Sequence, residues 1–350
     1  MTGKRRKTAE EAKEKAPERR EPSLRPVPAR YMRLEDVPGI GTAIAQKLRE
    51  YGIASVELLR LSSIADLVSA GVGEQTARRI LDAVRGGEFR VMTALQYEKL
   101  LGGVRRLTTG CSGLDDILGG GIESMGITEF YGEFNTGKSQ ICHQLAVTAQ
   151  LPEDRGGFGE DTRVLYIDTE GSFSPSRIRQ IAERFELDPN GVLDNVLFVE
   201  VSSVEEQTTF VRRHLDRFIT EEGVKLVIVD SVILHFRSEF PGRENLAQRQ
   251  QKLCQHLLLL QKIARAHNIP VVVTNQVMSK PTGTPPYVGI YNSTDSVGGH
   301  VLKHINKYRV FLRKAPRNVR YARLTSAPAL PERETMFCIT DRGIEDVEKK

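Results

Sequence analysis

Residues 132–139 read Gly132-Glu133-Phe134-Asn135-Thr136-Gly137-Lys138-Ser139, the spacing G-x-x-x-x-G-K-[ST] of a phosphate-cradling loop. Glycine at both ends lets the backbone curl until its N–H groups converge on anionic oxygens. Lys138 adds a point charge for the terminal phosphates, and the Ser139 hydroxyl suits magnesium. Gln140 continues into a helix whose dipole favours negative charge at this end. The pattern predicts binding of a nucleoside triphosphate with Mg2+, rather than an incidental glycine-rich turn. Two apolar runs end in acids, Asp168-Thr169-Glu170-Gly171 and Asp230-Ser231. Asp230 suits a water-mediated hold on magnesium, and Glu170 suits activation of the attacking water. A third run ends in Thr274-Asn275-Gln276, placing Gln276 to sense the terminal phosphate. Each taken singly is also a polar strand end facing solvent.

These groups need a sheet that brings strand ends together. From Leu107 onward apolar runs alternate with helical patterns. Residues 164–168, 196–199, 226–230 and 271–274 read as strands buried on both faces of a mainly parallel sheet. Carboxylates at their C-terminal ends then face one ligand crevice. A long helix is expected from about Glu244 to Ala266, with Leu246, Leu253, Leu257, Leu260 and Ala264 on one stripe. Beyond Tyr308 the pattern suggests antiparallel edge strands. The fold class is α/β, a nucleotide-binding core over residues 104–350.

Ahead of it, residues 31–86 read as a small all-α domain. Val37-Pro38-Gly39-Ile40-Gly41 and Ala70-Gly71-Val72-Gly73 are two apolar-Gly turns, each leading into a helical pattern, the first copy fitting better. Such a turn frees backbone N–H groups at a helix start for a phosphate, so Gly39 and Gly41 are candidate DNA contacts; close helix packing is the other use. Residues 87–103 read as a linker. Residues 1–30 carry ten Lys/Arg against five Glu, the whole of the chain's formal net charge of +5. Their composition cannot bury a core, which predicts disorder. The remaining residues are formally neutral, so a DNA site on the folded part must come from local patterning.

No run of eighteen apolar residues and no apolar stretch behind the N-terminal charges occurs, so neither a membrane span nor a secretory signal is expected. The four cysteines are far apart and fit buried positions in a reducing compartment. A cytoplasmic protein is the expectation.

Longer motifs carry a resemblance. Residues 128–134 (TEFYGEF), 166–171 (YIDTEG), 240–247 (FPGRENLA), 274–278 (TNQVM) and 297–300 (VGGH) resemble the archaeal RadA recombinases, relatives of bacterial RecA and of the eukaryotic strand-exchange proteins. The likeness runs from about Leu34 to the C-terminus. It implies a RecA-like ATPase core behind a helix-hairpin-helix domain, and ATP-dependent DNA strand exchange in recombination and repair. It implies helical filaments on single-stranded DNA, or rings, that test bound DNA against duplex. By position, Glu170 would be the catalytic carboxylate, Gln276 would couple ATP to DNA, and Arg177 would pack on the adenine. Arg237 to Arg243 would form one DNA-binding loop and about Lys280 to Ser296 a second. Arginines there suit backbone contacts without sequence preference, although Glu239 and Glu244 are available as ion-pair partners.

Two departures bear on assembly. The family carries Phe-x-x-Ala in its linker for a pocket on the neighbouring subunit; in that register stand Val91 and Ala94, with Phe89 two residues earlier. A slip by two keeps the same strand face, so Phe89 is the expected occupant; valine there would forfeit roughly 1–2 kcal/mol of burial. Where the family commonly has Asp-Pro in the cap over ATP, Asn292-Ser293 stand here, with Asp295 nearby. The lost charge implies weaker potassium stimulation of hydrolysis. These departures leave open a regulatory paralogue that binds ATP and DNA but assists another recombinase. A hexameric helicase-like motor is the third reading, opposed by residues 240–243 and the glycine-turn domain.

Overall fold

The computed structural model describes residues 31–86, 92–277 and 304–347, with backbone only at 100 and 101. Phe89, Val91, Lys280, Asn292, Asp295 and the basic segment 1–30 lie outside the described residues.

Strands β1 (Arg106–Leu107) and β2 (Ile122–Glu123) pair as a short antiparallel ladder. The remaining strands are β3 (Gly126–Gly132), β4 (Arg163–Asp168), β5 (Val196–Glu200), β6 (Val224–Asp230), β7 (Pro270–Gln276), β8 (Tyr308–Lys314), β9 (Val319–Ser326), β10 (Arg333–Thr340) and β11 (Gly343–Asp346). They form one sheet in the order 11-10-9-8-3-7-6-4-5. From β5 to β8 neighbours run parallel, and β8 to β11 continue antiparallel. This is the mainly parallel α/β sheet with an antiparallel edge that the pattern implied.

Alternate residues of the inner strands feed two cores. Val164, Tyr166, Leu226, Ile228 and Val272 face one, and Leu165, Ile167, Val227, Val229, Val271 and Val273 the other. Apolar residues on both faces of these inner strands bury them and force helices onto each side. Strand β5 departs from the expectation. It is the outer edge, and Phe198 is 47% exposed. An apolar run cannot by itself tell an edge from a central strand.

The N-terminal unit contains α1 (Thr42–Tyr51), α2 (Val56–Leu61), α3 (Ile64–Ser69) and α4 (Glu74–Arg85). Gly41 and Gly73 stand immediately before α1 and α4, and Gly39 and Gly71 take φ of +90° and +82°. The second copy joins two α-helices, whereas the first is preceded by a single 3-10 turn, Leu34–Asp36. The better-looking sequence match is thus the less complete hairpin. Residues 94–101 form α5, which the linker reading missed. Thr93 and Gln96 cap it reciprocally, Gln96 N donating to Thr93 Oγ1 (3.2 Å) and Thr93 N to Gln96 Oε1 (2.9 Å). Ala94 is therefore the exposed first residue of a helix, not part of an extended strand.

The core helices follow as α6 (Ser112–Ile117), α7 (Lys138–Thr148), α8 (Pro175–Arg184), α9 (Pro189–Asp194), α10 (Val204–Arg213), α11 (Leu215–Glu222), α12 (Leu234–Glu239) and α13 (Leu246–His267). The stripe on α13 is buried from Leu253 to Ala264, but Leu246 is half-exposed. Leu58 of α2 belongs to the core under α13, so the N-terminal unit docks on the ATPase core. Gly52 permits the approach: a Cβ there would lie 1.5 Å from the Arg212 carbonyl oxygen. Of the cysteines, Cys111 and Cys142 are buried, but Cys254 and Cys338 are only partly so. None of the described helices is long and apolar enough to cross a membrane.

Two histidines are packed neutral. Burial pushes His143 of α7 and His256 of α13 down to about 4. Because the unfolded chain takes up protons near 6.5 and the folded one does not, their contribution to stability is complete above about pH 6.5. It is lost as pH falls toward 4, by about 3 kcal/mol for each ring at most. Urea unfolding midpoints should fall steeply across that window, and His256→Asn should flatten the slope; a flat wild-type profile would contradict the burial argument.

Candidate nucleotide and DNA site

The parallel order puts the C-terminal ends of β3, β4, β6 and β7 side by side, and each delivers a candidate group. β3 runs into the phosphate loop. Gly132 passes under β8 where a Cβ would meet the Leu312 carbonyl oxygen at 2.3 Å, and Gly137 takes φ +100° as it caps α7. Asn135 also has positive φ (+63°). Thr136 Oγ1 donates to Glu133 O (2.9 Å) and closes the loop. Phe134 is 82% exposed at its crown and contributes nothing to the core.

Lys138 is buried, and its Nζ donates to the carbonyls of Gly132 (3.1 Å) and Glu133 (2.9 Å). Burial pulls its pKa down, while the carboxylates of Glu170 and Asp230 pull it up. A buried ammonium at a helix start, inside a curl no side chain could occupy, fits a polyphosphate. The hydroxyl of Ser139 and the carboxylate of Asp230 are hard oxygens, the set that suits Mg2+.

Asp230 ends β6, buried. Tyr166 OH donates to its Oδ2 (2.8 Å), and the Thr274 hydroxyl donates to Oδ1. The Asp230–Ser231 peptide is cis. Thr169 N donates to Asp230 O (2.9 Å) and Ser231 N to Thr169 Oγ1 (2.8 Å), so the ends of β4 and β6 are fixed to each other. Asp168 accepts from Glu170 N (3.0 Å) and Phe173 N (2.9 Å), which turns the chain after β4 and presents Glu170.

Gln276, ending β7, donates through Nε2 to Glu170 Oε1 (3.1 Å) and accepts from Arg237 Nη1 at Oε1 (2.9 Å). Its backbone is pinned by Asn275, whose Oδ1 accepts Gln276 N (2.7 Å) and whose Nδ2 donates to Glu129 Oε1 (2.8 Å). Glu129 in turn pairs with Arg309 (2.6 Å), both buried. The polar residue inside the TEFYGEF strand thus holds the Gln276 end of β7, a role its position in the sequence did not disclose.

Arg237 lies on α12, so the first half of the expected DNA loop is helical; Arg243 follows, exposed, in the segment before α13. Glu239 accepts from Val204 N (2.6 Å), so Arg237 meets Gln276 rather than that acid. Arg177 donates to Gln140 Oε1 (2.6 Å), Gln180 Oε1 (2.9 Å) and the carbonyls of Thr340 (2.6 Å) and Asp341 (2.8 Å). It clamps the start of α7 to the β10–β11 turn. Burial lowers its pKa.

A phosphate loop flanked by two acidic strand ends and an amide is shared by many nucleotide-driven proteins, and whole-chain similarity narrows the choice. The Rad51 family model matches residues 102–347, and a SAM-like helix-hairpin-helix tandem matches residues 31–85. The chain is 45% identical over 319 residues to the DNA repair and recombination protein RadA of Ignicoccus hospitalis, covering 89% of this chain and 95% of that one. It is 44% identical to the RadA of Aeropyrum pernix, over 90% and 97% of the two chains, and 42% identical to that of Metallosphaera sedula, over 91% and 97%. The chain belongs to the RadA/Rad51 recombinase family. Members of the family are DNA-dependent ATPases that use ATP and Mg2+ and form filaments on DNA. In this RadA/Rad51 chain, Lys138, Ser139, Glu170, Asp230 and Gln276 converge at the C-terminal ends of the inner parallel strands, and Arg237 joins them. The exposed glycine turns at Gly39 and Gly41 lie on the separate N-terminal unit.

Proposed function

We propose that this chain is an ATP-dependent recombinase that assembles on single-stranded DNA and pairs it with homologous duplex, working at the nucleoid. The observation that carries the coupling of hydrolysis to DNA is the chain Glu170–Gln276–Arg237. One end is the carboxylate suited to activate water, the other an arginine on the first candidate DNA segment, and a single carboxamide touches both.

Lys138 and the backbone of residues 132–137 hold the phosphates. Magnesium on Ser139 and, through water, on Asp230 would neutralise charge at the terminal phosphates. Glu170 takes the proton of the attacking water. Gln140 and Arg177 border the base. Phosphate bound at Arg237 competes for the guanidinium that now meets Gln276, so DNA changes what Gln276 offers Glu170. Arg243 and Lys280 add backbone contacts, and the helix starts behind Gly39 and Gly41 bind duplex phosphates. Phe89, Ala94, Asn292 and Asp295 are the proposed subunit contacts, with potassium weakly engaged.

Strand exchange between a circular single strand and homologous duplex tests this reading. Joint molecules that need ATP and disappear in Lys138→Ala are the expected result. ATP and single-strand binding without joint molecules would overturn it.

A further inference from the structure

The turn between β4 and α8 carries a side chain with no assigned part in the nucleotide site. Ser172 Oγ lies 3.2 Å from Asp230 Oδ2 and 3.4 Å from Ser139 Oγ. It therefore touches both groups that would hold the magnesium, one directly and one through water. Its one proton is directed at two acceptors, the nearer being Asp230 Oδ2, whose carboxylate it orients, and the farther Ser139 Oγ.

Position is imposed on Ser172 from both sides. Upstream, Glu170 N is tied to Asp168 Oδ1 (3.0 Å). Downstream, Phe173 N is tied to Asp168 Oδ2 (2.9 Å) and Ser174 N to His143 Nε2 (3.1 Å). Gly171 between them has φ +64° and open space around it, so it is the one compliant link. The Phe173 side chain is held in turn by rings. It meets Tyr166 at 4.9 Å between centroids and stacks on Phe198 at 4.6 Å with 24° between planes. Tyr166 is the residue whose hydroxyl donates to Asp230. A ladder of aromatic contacts therefore runs from the exposed edge strand β5 to the metal carboxylate, with Ser172 riding on its middle rung. Stacked and tilted ring pairs are both favourable beyond their burial, enough to bias a turn with one compliant link.

We propose that Ser172 is a positioning residue of the magnesium site, and that Phe173 stacked on Phe198 sets its pose. The inference rests on the reading of Ser139 and Asp230 as the metal-holding pair.

Mn2+ titrated into the full-length protein with a non-hydrolysable ATP analogue, free Mn2+ being read by electron paramagnetic resonance, tests it without turnover. Groups that orient metal ligands typically contribute 10–100-fold to affinity. Ser172→Ala is expected to weaken Mn2+ binding about tenfold with analogue affinity in EDTA unchanged, and Ser172→Thr to stay near wild type. Phe198→Ala, read at a concentration where the protein is monomeric, is expected to weaken Mn2+ binding about threefold through the ladder. Wild-type binding in Ser172→Ala, or a Thr variant as weak as the Ala variant, overturns the role of Ser172. Wild-type binding in Phe198→Ala overturns the ladder. A wild-type protein that takes up no nucleotide-dependent Mn2+ overturns the metal-site reading itself, and this inference with it.

Discussion

Glu170→Gln is expected to lower ATP turnover by about 10²–10⁴-fold, the usual contribution of a positioned general base, while ATP and DNA binding stay near wild type. The geometry separates the two effects. In the proposed site Lys138 and the loop backbone grip the phosphates, and Glu170 makes no contact with that loop among its hydrogen bonds. Glutamine at 170 keeps an oxygen to accept from Gln276 Nε2, now 3.1 Å from Glu170 Oε1, so the connection to Arg237 survives. Only basicity is removed. Joint molecules should then still form with ATP but persist, because the step that resets the nucleotide is slowed. Single-turnover phosphate release and equilibrium binding of a fluorescent ATP analogue check the two halves. A loss under tenfold would take the water-activating role away from Glu170, and a parallel loss of nucleotide affinity would make it a binding residue.

How far the sequence disclosed this site depends on whether a group acts through local spacing or through contacts between distant segments. The phosphate loop is local: eight consecutive residues fix its curl, and the helix behind it follows. The strands bearing Asp168, Asp230 and Gln276 were legible from continuous apolar runs, because burial on both faces leaves no alternation. The same rule misread β5. A run of the same look at the sheet's end leaves Phe198 half-exposed, and nothing local distinguishes edge from centre. Helix α5 did carry a local sign, the Thr93/Gln96 pair of a reciprocal cap, lost among flanking glycines. The contacts of Gln276 were not legible at all. Arg237 is 39 residues away and Glu170 is 106, and only the strand order 7-6-4 brings all three together. Asp216 is the extreme case: an ordinary acid in an amphipathic helix by sequence, and the centre of a domain interface in three dimensions.

Asp216→Ala is accordingly the second large effect expected. The carboxylate is 1% exposed and accepts from Ala54 N (2.7 Å), Ser55 N (2.7 Å), Ser55 Oγ (2.8 Å) and His267 Nε2 (2.5 Å). Three of the four donors belong to the N-terminal unit, at the turn that opens α2, and the fourth to the end of α13. Around this hub the other cross-unit polar contacts are half-exposed or weaker. Lys262 to Asp66 (3.1 Å) is partly exposed, and Arg212 to the Tyr51 hydroxyl is at the long end (3.2 Å). A single ion pair that solvent still reaches contributes little, so it does not replace a carboxylate holding four donors. Removing one partner of a buried, multiply bonded charge costs about 3–5 kcal/mol, because the donors left behind lose their acceptor without regaining water. The apolar packing inside the N-terminal unit, from Leu34 to Val84, does not include Asp216. The unit should therefore stay folded while its docking weakens. Calorimetry should resolve one transition into two, and limited proteolysis should release the unit from the ATPase core. The duplex binding proposed at Gly39 and Gly41 should persist on the freed unit, but joint-molecule formation should fall, since those turns would no longer be held at a fixed position relative to Arg237 and Arg243. Asp216→Asn, which keeps an acceptor oxygen for Ala54 and Ser55, should recover part of the docking. A single transition at the wild-type temperature in Asp216→Ala would show that Leu58 under α13 holds the units together without the carboxylate.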